Sequence, residues 1–177
     1  MRARCNGSVR IVLALVIVAC CGAALAASAH SGSTAAAPLV SCGNIVSQTS
    51  GPRDAGYRLV LGVLSVPPAS MLRTAVRVNG YGRWTYWFKG GMVIHSGRFA
   101  ASVSVPMKWR SRVAITWGGS GIVSTLRFSG CGDSSLLKGW NGYAGGFYLR
   151  AQRACVPLDF KLGRDSRTLR FGIGERC

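Results

Sequence analysis

Side chains able to do acid–base or nucleophilic chemistry are scarce in this sequence. Its acids are Asp54, Asp133, Asp159, Asp165 and Glu175, and its histidines are His30 and His95. His30 lies in a stretch of small residues, so a Ser-His-Asp relay would have to use His95. His95 sits in MVIHS, on one face of a strand-like segment, and no serine has the G-x-S-x-G surroundings of a nucleophile elbow. Asp133 and Asp159 are the pair that would serve glycoside hydrolysis, which needs two facing carboxylates. Nothing in the spacing brings them together. Cys42, Cys131, Cys155 and Cys177 are too far apart for a C-x-x-C zinc site. The glycine-rich GGSG at 118–121 lacks the Lys-Ser/Thr of a phosphate loop and reads as a hairpin connection. The expectation is a non-enzymatic protein with no catalytic residues, metal or cofactor; an unrecognised glycan hydrolase is the alternative to test.

Binding chemistry has more to work with. The chain holds 22 Lys and Arg against 5 Asp and Glu, a net charge of +17. A GC-rich coding sequence accounts for 18 Arg against 4 Lys, but not for so few acids. Such a field attracts polyanions and anionic surfaces. Arg77, Arg98, Arg110, Arg112 and Arg127 fall at outward positions of expected strands and are the candidates for a cationic, anion-binding stripe. KWRSR at 108–112 interleaves an aromatic with bases, although Trp109 shares the parity of Val113, Ile115 and Trp117 and so points inward. Trp140 and Tyr143, in WNGYAGG, are candidates to stack on a ligand such as a sugar ring, or else fold back on the core. RWTYWFKGG at 83–91 adds a third: alternation puts Trp84, Tyr86 and Phe88 on an inner face and leaves Trp87 on a polar one.

The elements that must position these groups are strands. Phe99, Ala101, Val103 and Val105 alternate with polar or small residues, as do Leu158, Phe160 and Leu162, and Leu169, Phe171 and Ile173. Period-two alternation with one apolar face is the signature of half-buried antiparallel strands. The segment 57–66 is apolar on both faces and reads as one central strand. Residues 73–78 read as a strand with Val76 and Val78 inward, and 133–146 as the most loop-like stretch. Short helices are expected at most at 68–72 and 134–138. Nine or so such strands predict an all-β fold, an antiparallel β-sandwich of jelly-roll or Ig-like type, with a small β-barrel as the alternative. In the C-terminal hairpin, keeping the apolar faces together suggests Leu162 opposite Leu169 and Phe160 opposite Phe171, around a loop at 164–167. In that register a Cys155–Cys177 bridge requires a one-residue slip, for which Gly172 and Gly174 are plausible places.

The N-terminus reads as an address. Arg2, Arg4 and Arg10 precede the uncharged apolar run at 11–20, and small-x-small sites follow at 24–26 and 27–29. That is the pattern of a secretory signal peptide over 1–29; an uncleaved membrane anchor is the alternative. IVAC at 17–20 also resembles a lipobox, which would place a lipid on Cys20. Cleavage after 26 or 29 leaves four cysteines, an even set suited to two disulfides. Cys42–Cys131 with Cys155–Cys177 is favoured among three possible connectivities. Residues 30–38 read as a flexible tether and 39–177 as a single β-sandwich domain. Removing the three leader arginines lowers the net charge from +17 to +14.

The segments GRWTYWFKGG, VSVPMKWRSRVAITWG and WNGYAGGFYLRAQRACVPLDFKLGRDSRTLRFGIGERC resemble parts of secreted, uncharacterised β-rich proteins of high-GC actinobacteria. The resemblance covers most of the chain from Tyr81 onward. It implies secretion and a β-rich fold, and it carries over no binding residue. The expected function is that of an exported binding protein of the cell envelope or extracellular space, whose cationic sheet surface takes anionic glycopolymers or lipid headgroups. Nucleic acid as the main partner conflicts with the leader. The other reading is a structural or protein-interaction domain without a small ligand.

Overall fold

The computed structural model describes residues 36–49, 51, 53, 56–131 and 139–177. The expected signal peptide (1–29) with Cys20, most of the tether, Asp133 and the helix considered at 134–138 lie outside them. Fourteen strands are present among the described residues: β1 (Leu39–Val40), β2 (Ile45–Thr49), β3 (Arg58–Val60), β4 (Leu64–Val66), β5 (Val76–Arg77), β6 (Tyr86–Lys89), β7 (Met92–His95), β8 (Ala100–Ser104), β9 (Val113–Trp117), β10 (Thr125–Ser129), β11 (Trp140–Tyr143), β12 (Gly145–Leu149), β13 (Ala154–Leu162) and β14 (Asp165–Ile173). One sheet has the order β1-β10-β8-β13-β14; the others run β2-β11-β7-β4-β3 and β5-β6-β12-β9. All pairs are antiparallel except β1–β10.

The last two sheets are spliced into one layer. A single register runs from Trp140 opposite His95 to Leu149 opposite Tyr86, so β6 and β7 form one long strand and β11 and β12 its partner. The Gly90 N–H donates to the Gly145 carbonyl across the break (2.9 Å). The first sheet packs on this layer through ring contacts between Phe171 and Phe147 (5.5 Å) and between Phe128 and Tyr143 (6.0 Å). The result is an all-β sandwich, as alternation predicts. Among the described residues no sheet closes on itself, which removes the barrel alternative.

The core follows the parity rule. Ala101 and Val103 of β8, Leu126 and Phe128 of β10, and Val156, Leu158 and Phe160 of β13 are buried. Trp117 is fully buried, and its indole N–H donates to the Gly90 carbonyl (2.7 Å). That contact satisfies an acceptor at the splice between the two sheets, where water does not reach. The aromatic run divides as expected: Trp84 and Phe88 are buried and Tyr86 packs against the core.

Several sequence expectations are corrected. Residues 57–66 are not one central strand but the hairpin β3–β4, with β3 at a sheet edge. Leu61 (φ 50°) and Gly62 (φ 74°) both have positive φ at its turn, the conformation that matches strand twist in tight hairpins. Val76 does not point inward: it is 46 % exposed, and Leu72 at the end of the 3-10 helix Ala69–Leu72 takes the buried place. Residues 140–143 and 145–146, expected to be loop, lie in the strands β11 and β12.

The C-terminal hairpin is paired four residues away from the expected register. Leu162 faces Asp165, Phe160 faces Arg167 and Leu158 faces Leu169. An even shift preserves faces, so hydrophobic parity could not discriminate the two registers. The turn chooses: Gly163, at φ 58°, takes the first central place of a two-residue loop, where glycine is favoured.

Both favoured disulfides are present, Cys42–Cys131 and Cys155–Cys177, with Cα–Cα distances of 5.7 and 5.2 Å. No bulge is needed for the second. Cys155 faces Gly172, and after Ile173 the chain turns at Gly174 (φ 66°) and folds back over Gly172. A Cβ at 172 would overlap the Glu175 carbonyl oxygen, so the return depends on glycine there. Among the described residues no helix is long and apolar enough to cross a membrane. The disulfides are compatible with an extracytoplasmic protein.

Candidate anion-binding site

The KWRSR segment does not extend β9 as alternation suggests. Pro106 leads into the 3-10 helix Met107–Trp109, and β9 begins only at Val113. Trp109 is therefore half-buried beside the strand instead of inside the sheet. The Arg112 N–H donates to the Trp109 carbonyl (2.8 Å), closing a turn. That turn lays the Arg112 guanidinium over the indole, 4.1 Å from its centroid. An arginine held over an aromatic face loses little further freedom when it binds.

Strand pairing adds the next cation. Val113 pairs with Leu149, and one step beyond, the Arg150 N–H donates to the Arg112 carbonyl (3.2 Å). The chain then turns through 151–153 into β13, placing Arg153 next to Cys155. Arg170 comes from the outward parity of β14, and Glu175 from the returning C-terminus. Arg112, Arg150, Arg153 and Arg170 thus line one cleft of about 500 Å³, with Trp109 and Glu175 in its wall. That volume lies within the usual range for small-ligand sites. No ion pair joins Glu175 to these arginines among the described residues. The lining residues thus include four arginines and one glutamate, a formal excess of three positive charges.

Two other concavities are less charged. A cavity of about 420 Å³ at the splice is mainly apolar, walled by Val46, Tyr57, Met71 and Met92, with Lys89 alone as a cation. A groove of about 510 Å³ on the outer face of the first sheet has Arg127 and Lys161, separated by Ser102 on the intervening strand.

The structure does not gather the five expected arginines into one stripe. Arg77 lies on the edge strand β5, Arg98 in the bend before β8, and Arg127 on the outer face of β10. Arg127 also has structural work: its Nε donates to the Ala37 carbonyl (2.9 Å) and its N–H to the Pro38 carbonyl (2.9 Å). Arg110 is bound through Nε to the Val105 carbonyl (3.1 Å). Only Arg112 of the five lines the four-arginine cleft. Arg150, Arg153 and Arg170 were missed, because the first two sit in a turn where alternation carries no signal. The proximity of Arg150 to KWRSR follows from the Val113–Leu149 pairing, and that of Arg170 from the C-terminal hairpin.

The aromatic candidates also separate. Tyr143 is core: it is 2 % exposed, and its hydroxyl lies 3.1 Å from the Cys131 sulfur, which can only accept because it is in a disulfide. Burial pushes the Tyr143 phenol above its ordinary pKa. Trp140 is half-buried and meets His95 edge to face at 4.8 Å. Trp87 lies between Val76 and Tyr148 on the outer face of its sheet, and its Nε1 is buried without a hydrogen-bond partner among the described residues.

For catalysis, His95 is in β7 of the back layer while Asp159 is in β13 of the first sheet, where it accepts from the Thr168 hydroxyl (2.6 Å). Among the described residues no three His, Cys, Asp or Glu side chains form a metal-sized cluster. No protein-family model, curated protein or solved structure matches this chain.

Proposed function

We propose that this is an exported, non-enzymatic binding protein of the cell envelope or extracellular space, which uses its cationic surface to hold anionic glycopolymers or lipid headgroups. The observation supporting this reading is the convergence of Arg112, Arg150, Arg153 and Arg170 on one cleft with a single opposing carboxylate. Guanidinium groups match carboxylate and phosphate oxygens through paired N–H donors, and a charged concave wall concentrates counter-ions. The surrounding net charge adds attraction at a distance, while the disulfides suit an oxidising compartment.

Retention of the purified protein on envelope fractions tests this reading. Binding is expected at low ionic strength and should fall steeply as salt is raised past the point where the Debye length is about 8 Å. Retention that ignores salt would remove the electrostatic reading.

A further inference from the structure

We infer that the four-arginine cleft is a phosphate site: it takes the phosphoryl group of its ligand in preference to a carboxylate. The inference rests on the cationic reading given above and narrows its ligand.

The stoichiometry of charge is the first argument. Each guanidinium offers five N–H donors and no acceptor. A carboxylate brings one charge and two oxygens, enough for one bidentate arginine. A phosphoryl group brings up to two charges and three strong acceptor oxygens. Against Arg112, Arg150, Arg153 and Arg170, with only Glu175 opposing, the phosphoryl group compensates more of the excess.

The second argument is an electrostatic cost written into the strands. Arg112 and Arg150 sit at neighbouring positions at the ends of β9 and β12, joined by a backbone hydrogen bond of 3.2 Å. Like charges directly across a strand pair destabilise it. The chain places them there without a carboxylate between them and fixes one of them on Trp109. A shared anion with several oxygens relieves that repulsion by bridging both groups.

Glu175 gives the inference its sharpest consequence. The C-terminal return, tied by Cys155–Cys177, holds this carboxylate in the wall of the cleft. It cannot donate a hydrogen bond when ionised and it repels a bound anion. Glu175→Gln should therefore bind phosphate several-fold more tightly.

Calorimetric titration of the full secreted chain with inorganic phosphate, and with acetate at matched ionic strength, tests this. Saturable phosphate binding is expected, with acetate at least about tenfold weaker. Loss of one charge-assisted arginine contact corresponds to about tenfold in affinity, so Arg150→Gln/Arg153→Gln should bind at least about tenfold more weakly. Arg77→Gln/Arg98→Gln should bind like wild type. Competition by poly(glycerol phosphate) or by phosphatidylglycerol vesicles then separates a polymer source of the phosphoryl group from a lipid one.

Equal binding of phosphate and acetate would overturn the inference. If envelope retention were still reduced in Arg150→Gln/Arg153→Gln, the cationic reading would survive that result. Wild-type envelope retention by the same variant would overturn both.

Discussion

The guanidinium of Arg112 lies 4.1 Å over the centroid of the Trp109 ring, so one cation of the cleft is held in place by an uncharged neighbour. Such a contact at a partly exposed site stabilises by about 0.5–1 kcal/mol. Trp109→Ala should therefore weaken phosphate binding by about two- to fivefold without changing the net charge. Trp109→Phe should retain most of the affinity. Calorimetric titration of the two variants checks the order; identical losses would mean that the ring does not position Arg112.

The C-terminal return makes Gly172 indispensable to the second disulfide. A side chain at 172 meets the Glu175 carbonyl oxygen and comes within 3.3 Å of the Arg176 Cα, both of them backbone atoms that cannot rotate away. Gly172→Ala should leave β14 paired with β13 but impair closure of Cys155–Cys177. Mass spectrometry of the purified protein after thiol alkylation should find alkylated Cys155 and Cys177 beside an intact Cys42–Cys131 bridge. Complete oxidation would show that the return can be rerouted.

Two tryptophans should respond unequally to the same substitution. The indole of Trp117 satisfies the Gly90 carbonyl inside the core, so Trp117→Phe leaves an unpaired acceptor and a void. The cost should be about 2–4 kcal/mol. Trp87 buries its Nε1 without a partner among the described residues, so Trp87→Phe removes an unsatisfied donor and should cost less than about 1 kcal/mol. Urea unfolding of both variants measures the contrast.

Alkaline pH should destabilise the fold through buried phenols. Burial raises the pKa of Tyr57, Tyr143 and Tyr148 above 10.0, with Tyr81 adding to the shift at Tyr148. The folded state then holds protons that the unfolded chain releases. The stability from this source is present in full below pH 10 and is lost as pH rises through the folded values. Thermal unfolding across that range should show the drop, and Tyr143→Phe should reduce it. Full tyrosinate absorbance at the ordinary pKa in the folded protein would contradict the burial.

Alternation made the core strands legible, because a half-buried antiparallel strand writes its burial pattern directly into the sequence. It gave the inner faces of β8 and β13 and the division of the aromatic run. It failed where faces do not decide. The register of β13 and β14 was set by Gly163 in the turn, not by hydrophobic parity. Residues 57–66, apolar on both faces, concealed a reversal at Leu61 and Gly62. The even cysteine count anticipated two disulfides and the C-terminal hairpin suggested Cys155–Cys177, but the fold-back that closes that bridge was not anticipated. The cleft was least legible: Arg112 was visible beside Trp109, whereas Arg150, Arg153 and Arg170 reach it only through strand order and the C-terminal hairpin.

The most direct measurement of the central claim compares two variants of equal net charge. Arg150→Gln/Arg153→Gln removes two cations from the cleft, and Arg77→Gln/Arg98→Gln removes two that lie outside it. Affinity for isolated envelope polymer at fixed ionic strength should fall at least about tenfold for the first pair and stay near wild type for the second. Equal losses in both would show that net charge alone, and not this cleft, holds the ligand.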